Sequence, residues 1–382
     1  MASKRLKIGM VLDTSLDPMD GVQQYVVTVG EWLRNQGHDV HYLVGETRTR
    51  QLPNIHSLSR NFNVRFNGNR TTIPMPTSRH KLRDFLERQQ FDVLHVQIPH
   101  SPFMAQRLIL AANDKTAVIG TFHVAPYNSL VYWGNWLLGY WLRPSLKRFD
   151  QILSVSSVAR DFAKDTFKVN SKILPNVIDY PLFHTAKPLA KYDDGKLTLL
   201  SLGRLVPRKG CQLLLRAVHI LSQDKSLPGF RVVICGKGPL LDKLKTYVSQ
   251  NGIAQLVEFV GFVDEADKPR YYASADISIF PSSGGECFGI VLLEAMASGK
   301  AAVLAGDNPG YRSVMSPQTE TLFDPKDANL LAEKLKGYLV DAASRHRLQD
   351  WGAKYSAGFD VAVVGRELVS IYGQALHKRR AQ

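Results

Sequence analysis

Two segments of this 382-residue chain put charged side chains and glycines where they could grip an anion. The first reads Gly203-Arg204-Leu205-Val206-Pro207-Arg208-Lys209-Gly210, between an apolar run at 197–202 and a helical pattern at 211–222. Three fixed cations there stand beside the free N–H groups and positive dipole end of a helix, both of which favour a bound anion. Arginine can hold phosphate through two parallel N–H bonds, while lysine adds a compact point charge. A solvated basic turn is the plainer reading. The spacing is not that of a Walker loop.

The second segment reads Ser283-Gly284-Gly285-Glu286-Cys287-Phe288-Gly289-Ile290-Val291-Leu292-Leu293-Glu294, after an apolar strand ending at Phe280-Pro281. Gly284 and Gly285 allow backbone N–H groups to approach a ligand, and the helix that follows supplies more. Eight residues of continuous helix turn through a net angle of about 80°, so Glu286 and Glu294 would share one side at different depths. That suits a long ligand held at two polar points, a sugar at one end and a ribose further down. The bland alternatives are a carboxylate favoured by the dipole at Glu286 and a buried structural pair at Glu294, which needs a hydrogen-bonding partner. In the first half, Gly21 opens a helix after the first strand, and His123 ends the apolar run Thr121-Phe122-His123. Alone, each is a weak signal.

These loops need strands to carry them. Short apolar runs at 7–12, 40–44, 93–96, 117–122 and 151–155 alternate with helical patterns, and a second series follows at 197–202, 231–235, 257–260, 276–280 and 301–304. Such βα alternation predicts parallel sheets covered on both faces, here in two doubly wound domains. Residues 175–194, with Pro175, Pro181, Pro188 and an Asp-Asp-Gly turn, read as the hinge between them. Open parallel sheets bind ligands beyond the carboxyl ends of their strands, so a ligand is expected between the two domains.

Composition narrows the classes. Hydrophobic residues make up 45%, enough for two cores, so global disorder is excluded. Forty-eight Lys and Arg against 34 Asp and Glu leave a net charge of +14, which predicts an acidic partner: anionic lipid, nucleic acid or a phosphorylated ligand. Three cysteines without metal-ligand spacing suggest a reduced, cytoplasmic protein. Residues 1–7 run into the first strand without an apolar leader, and no stretch reaches the roughly 18 apolar residues of a membrane span. A dehydrogenase is disfavoured because no Gly-X-Gly-X-X-Gly follows the first strand, and Gly236-Lys237-Gly238 is only a fragment of one. A nucleic-acid module is disfavoured because the basic residues are scattered.

Taken jointly and in order, these segments resemble retaining glycosyltransferases of family 4. Asn176 after Leu174-Pro175, Gly236-Lys237-Gly238-Pro239 and Gly261-Phe262-Val263 also match family positions, and the likeness covers essentially the whole chain. The order of Gly21-Val22-Gln23, Phe91-Asp92-Val93-Leu94-His95, Thr121-Phe122-His123 and the Gly-Gly-Glu segment is similar to the phosphatidylinositol mannosyltransferase branch. The resemblance implies an α/β GT-B fold: two Rossmann-like doubly wound domains facing across a deep cleft, and a C-terminal helix crossing back to the N-terminal domain. The domains would be 1–185 for the acceptor, 186–362 for the nucleotide-sugar donor, and 363–382 for the returning helix and basic tail.

The resemblance also implies roles. Arg204 and Lys209 would neutralise the donor pyrophosphate with help from the Gly21 amide. Glu286 would hold sugar hydroxyls beside the Phe288, Gly289 and Ile290 amides, and Glu294 would take the ribose. Gly236 and Arg208 would add nucleotide contacts, and His123 would sit near the transferred sugar and the acceptor hydroxyl. The expected reaction moves a hexose, mannose from GDP-mannose first, to a lipid head group such as phosphatidylinositol on the inner membrane face. It would retain configuration and use no cofactor; no Asp-X-Asp pair stands at a strand end, so no metal is expected. A UDP-sugar donor or a soluble or polysaccharide acceptor is the alternative. After His95 the chain reads Val96-Gln97-Ile98-Pro99-His100, where the branch usually has an acidic residue and Asn. Two segments would touch the membrane: a basic helix with Arg79, Lys81 and Arg83, and the uncharged stretch from Tyr127 to Leu142, which holds three of the five tryptophans. A solvated helix face and a core helix are their plainer readings.

Overall fold

The structure, a computed structural model, describes residues 5–17, 20–66, 69–75, 77–124 and 129–381. The chain divides into two compact units: 1–177 with 361–382 as unit 1, and 178–360 as unit 2. The junctions thus fall after Val177 and after Asp360, where the sequence placed them after residues 185 and 362.

Unit 1 holds β1 (Lys7–Leu12), β2 (Asp39–Gly45), β3 (Ile55–Ser59), β4 (Asn61–Phe66), β5 (Asn69–Pro74), β6 (Val93–Gln97), β7 (Ala117–Phe122), β8 (Gln151–Ser154) and β9 (Lys172–Ile173). Seven of these form a wholly parallel sheet in the order β3-β2-β1-β6-β7-β8-β9, while β4 and β5 pair separately and antiparallel. Side chains alternate across such a sheet. Ile8, Met10 and Leu12 of β1 therefore bury on one face, against Tyr25, Val29 and Leu33 of α1 (Gly21–Asn35) and Leu368 and Tyr372 of the helix Val361–Ala381. Val11 points the other way, with Leu94, Val96 and Val118, onto Leu82 and Leu86 of α2 (Arg79–Gln89) and Met104 and Leu108 of α3 (Met104–Ala111). The C-terminal helix is also tied by polar contacts, Tyr372 Oη to His95 Nδ1 at 2.7 Å and Arg379 Nε to Asp150 Oδ1 at 2.6 Å.

Unit 2 holds β10 (Leu197–Leu202), β11 (Phe230–Cys235), β12 (Val257–Gly261), β13 (Ile277–Phe280), β14 (Ala302–Gly306) and β15 (Leu322–Phe323), parallel and in the order β12-β11-β10-β13-β14-β15. In both sheets the first strand lies in the middle and the chain winds outward to either side. Loops that leave the two strands flanking this reversal diverge, and a crevice opens beyond their carboxyl ends. In unit 2 those strands are β10 and β13, whose loops carry the cations and the Gly-Gly-Glu segment. Among the described residues no helix is long and apolar enough to cross a membrane.

Candidate active site

Arg208 and Glu286 are 78 residues apart in sequence and meet because β10 and β13 are neighbours. Beyond β10 the chain makes a 3₁₀ turn at Pro207–Lys209 and reaches Gly210 at φ 71°, where a Cβ would overlap the carbonyl oxygen of Pro281. Glycine here lets the two loops touch. Ser283 N then donates to Arg208 O at 2.8 Å, and Ser282 Oγ lies 3.1 Å from the same oxygen. Asn308, past β14, donates to Ser282 O at 3.0 Å.

The loops converge on one carboxylate oxygen. Glu286 Oε1 accepts from Arg208 Nη1 at 2.7 Å, Lys209 Nζ at 2.9 Å and Ser282 Oγ at 2.7 Å. The Glu286 side chain is only 13% exposed. Burial alone would raise its carboxyl, but Lys209 and Arg208 outweigh burial and hold it below the ordinary value. Burial lowers the Lys209 ammonium, and the charges of Arg208 and Arg204 add to this against the pull of Glu286. Two cations contact one carboxylate, and Arg204 is near enough to act on Lys209, so the cluster keeps a surplus of positive charge for an incoming anion. Gly289, at φ 108°, leads into the helix Ile290–Ala297; a Cβ there would stand 2.6 Å from the Tyr311 ring. Among the described residues the Phe288, Gly289 and Ile290 amides donate to no backbone acceptor, so they remain available to a ligand.

One expectation about this segment is corrected. Residues 284, 285 and 289 have left-handed or related backbone and the helix starts only at Ile290, so Glu286 and Glu294 do not share one helical phase. Glu294 is fully buried, its oxygens held by Lys268 Nζ and Tyr272 Oη at 3.1 Å each, while Lys268 also pairs with Glu265 at 2.7 Å. Glu294 is thus paired within the fold. Gly236 donates its N–H to Gly261 O at 2.6 Å, so that amide serves the fold.

In unit 1, His123 is buried and its Nε2 lies 2.7 Å from Gln97 Oε1. Gln97 Nε2 donates to His95 O, which turns its oxygen toward His123 and places the ring proton on Nε2. Burial pulls His123 down to about 3, with Asn176 offsetting part, so the ring is neutral at pH 7. Gly21 begins α1, and among the described residues nothing beyond its chain neighbours and its own helix backbone lies within 4 Å of an ideal Cβ. Asp13 was not singled out by the sequence. It is buried after β1, accepts from Ala105 N at 2.7 Å and Ser101 Oγ at 2.5 Å, and burial pushes it up to about 6. Sequence reasoning also missed Ser282, Gln97, Asn308 and Lys268. Ser282 lies just past a strand end, a usable signal; Lys268 has none, because its partner is 26 residues away.

The two membrane-facing expectations fall on unit 1. Arg79, Lys81 and Arg83 are exposed on α2. Tyr127 and Asn128 lie outside the described residues; Ser129–Trp141 forms α4, on which Trp133, Trp136, Leu137, Tyr140 and Trp141 are 45–70% exposed. It is not a core helix.

Comparison with known proteins gives consistent matches. Residues 19–180 match the family model described as Glycosyltransferase Family 4, and residues 186–355 match Glycosyl transferases group 1. The chain is 31% identical to a phosphatidyl-myo-inositol mannosyltransferase of Mycolicibacterium smegmatis, over 96% of this chain and 93% of that protein. It is 26% identical to an alpha-monoglucosyldiacylglycerol synthase of Streptococcus pneumoniae, over 81% of this chain and 73% of the other. Among solved structures, a glycosyltransferase from Rickettsia africae superposes with a TM-score of 0.73 at 17% identity, covering 98% of this chain and 99% of that one.

Proposed function

The chain belongs to glycosyltransferase family 4, has the GT-B fold and is a hexosyltransferase; from this premise we propose that it moves mannose from GDP-mannose to the head group of phosphatidylinositol. The observation that carries the reading is the 31% identity to a phosphatidyl-myo-inositol mannosyltransferase over 96% of the chain. The reaction would occur on the cytoplasmic membrane face and retain the anomeric configuration.

Departure of a nucleoside diphosphate builds negative charge on the β-phosphate. Preorganised cations and amides stabilise such charge without reorganising when it develops. Arg204, Arg208 and Lys209 would meet the pyrophosphate, and their number supports a reaction that needs no metal. The Phe288 and Gly289 amides and Glu286 would hold the sugar hydroxyls. His123, neutral and hydrogen-bonded through Nε2, would orient rather than protonate, leaving the departing phosphate oxygen to take the acceptor proton.

The test is transfer from labelled GDP-mannose to phosphatidylinositol vesicles, with and without EDTA. Mannosylated lipid that persists in EDTA supports the reading, and no product with this pair overturns it. A second reading, glucosyl transfer to diacylglycerol, is favoured by the S. pneumoniae relative; product from UDP-glucose and diacylglycerol alone would select it.

A further inference from the structure

Polar side chains run through an otherwise apolar face of the unit 1 sheet and end at His123. Alternation puts Val93, His95 and Gln97 of β6 on one face, and Ala117, Ile119 and Thr121 of β7 on the same face, with Gln97 opposite Thr121 in the register. Val93, Ala117 and Ile119 belong to the apolar cluster shared with α1 and the helix Val361–Ala381. His95, Gln97 and Thr121 are 0–1% exposed there, so each must find its partners inside the protein.

The partners form a chain. Tyr372 Oη lies 2.7 Å from His95 Nδ1, and Thr121 Oγ1 lies 2.7 Å from His95 Nε2. Burial, with His123 nearby, pulls His95 down to about 3, so its ring is neutral, with one N–H donor and one acceptor. One hydroxyl therefore donates and the other accepts, and both ring nitrogens are used. Gln97 Nε2 donates to the carbonyl oxygen of His95 at 3.3 Å, and Gln97 Oε1 meets His123 Nε2 at 2.7 Å. Tyr25 of α1 packs T-shaped against both imidazoles, 6.3 Å from His95 and 4.9 Å from His123 between ring centroids. A shift of His95 thus disturbs both supports of His123, the Gln97 amide and the Tyr25 ring. Tyr372 is 277 residues from His95 in sequence and fully buried; only the docked C-terminal helix brings them together.

We propose that Tyr372 is a positioning residue for the transfer reaction: its hydroxyl fixes His95 and, through Gln97 and Tyr25, the imidazole of His123. The inference rests on the place given to His123 in the proposed function and adds the C-terminal helix to the catalytic arrangement. Tyr372 is itself buried and acts only through His95.

Tyr372→Phe keeps the ring and removes only the hydroxyl, leaving one His95 nitrogen without a partner in a dry site. Two readouts use the full chain. With 15N-labelled histidine and no substrate, the His123 imidazole signal, assigned by its loss in His123→Ala, should shift in Tyr372→Phe. With labelled GDP-mannose and phosphatidylinositol vesicles, kcat should fall about tenfold while KM for GDP-mannose stays within about twofold. In His123→Ala the same tyrosine change should cost no further activity, because its effect passes through the missing ring. Ile371→Val, at the neighbouring buried position of the same helix, trims the core without touching this chain and should leave kcat unchanged. An unmoved His123 signal or an unchanged kcat in Tyr372→Phe overturns the inference. So does a tenfold loss that persists in the His123→Ala background, or one matched by Ile371→Val. The imidazole signal needs neither donor nor acceptor, so a failure of mannosyl transfer in the parent protein is read separately from a failure of this inference.

Discussion

Replacing Glu286 by Gln separates the two jobs assigned to that carboxylate. In the unliganded protein it is the counter-ion of Lys209 at 2.9 Å and Arg208 at 2.7 Å. Each pair has a gross attraction of about 6 kcal/mol at an effective dielectric of about 20, most of which desolvation cancels. Glutamine keeps an acceptor oxygen for Ser282 but leaves two cations facing a neutral group. A stability loss of about 2 kcal/mol is expected, or a Tm lower by roughly 4–8 °C for a unit of this size. GDP, the nucleotide of the proposed donor, would meet no resident anion competing for the cations, so it should bind about fivefold more tightly. Loss of the proposed sugar-hydroxyl contact should lower kcat about 10²-fold. Thermal shift with and without GDP in EDTA, beside labelled mannose transfer, reads all three. A GDP-induced shift smaller in Glu286→Gln than in the parent, with kcat within about twofold, would refute the reasoning.

Other perturbations follow from the same geometry. Asp13 has a folded-state pKa of about 6, above its unfolded value, so its burial costs nothing at low pH and the cost grows as pH rises toward 6. Asp13→Asn should therefore stabilise unit 1 by up to about 3 kcal/mol at pH 8 and by little at pH 4, measured by denaturant unfolding; equal effects at both would disprove the assignment. Gln97→Glu would set a carboxylate 2.7 Å from His123 Nε2 and raise the imidazole from about 3 by roughly 1–3 units. A new limb in the kcat/KM profile near pH 5 is expected, and superimposable profiles would count against the contact. Lys268→Met leaves the buried Glu294 without its cation and should cost about 3–5 kcal/mol, much of it recovered in the double change with Glu294→Leu. An unaltered unfolding midpoint in Lys268→Met would show that Glu294 is not held as described.

Much of this protein is legible before folding is considered. Strands and helices are local, and the alternation of apolar runs with helical periods identifies parallel α/β sheets because burial on both faces demands it. The runs at 7–12, 117–122 and 197–202 coincide with β1, β7 and β10. The Arg204–Lys209 and Gly284–Gly289 segments stand out for a related reason: an anion site needs cations and open amides at strand ends, and both are short-range features.

What the tertiary structure decided is which of those groups meet, and which are used up. Strand order joins β10 to β13 and so brings Arg208 and Lys209 onto one oxygen of Glu286, with Ser282 as a third partner. No spacing rule links residues 78 positions apart. Glu294 stands alone in the sequence, and folding pairs it with Lys268 and Tyr272, because a carboxylate inside an apolar helix must be paired where it is buried. The amide of Gly236 is likewise taken by Gly261. The opposite holds for α4, whose uncharged sequence could equally fill a core. Only its place on the outside of unit 1 leaves Trp133, Trp136 and Trp141 uncovered, and exposure is a property of the packed neighbours, not of the residues themselves.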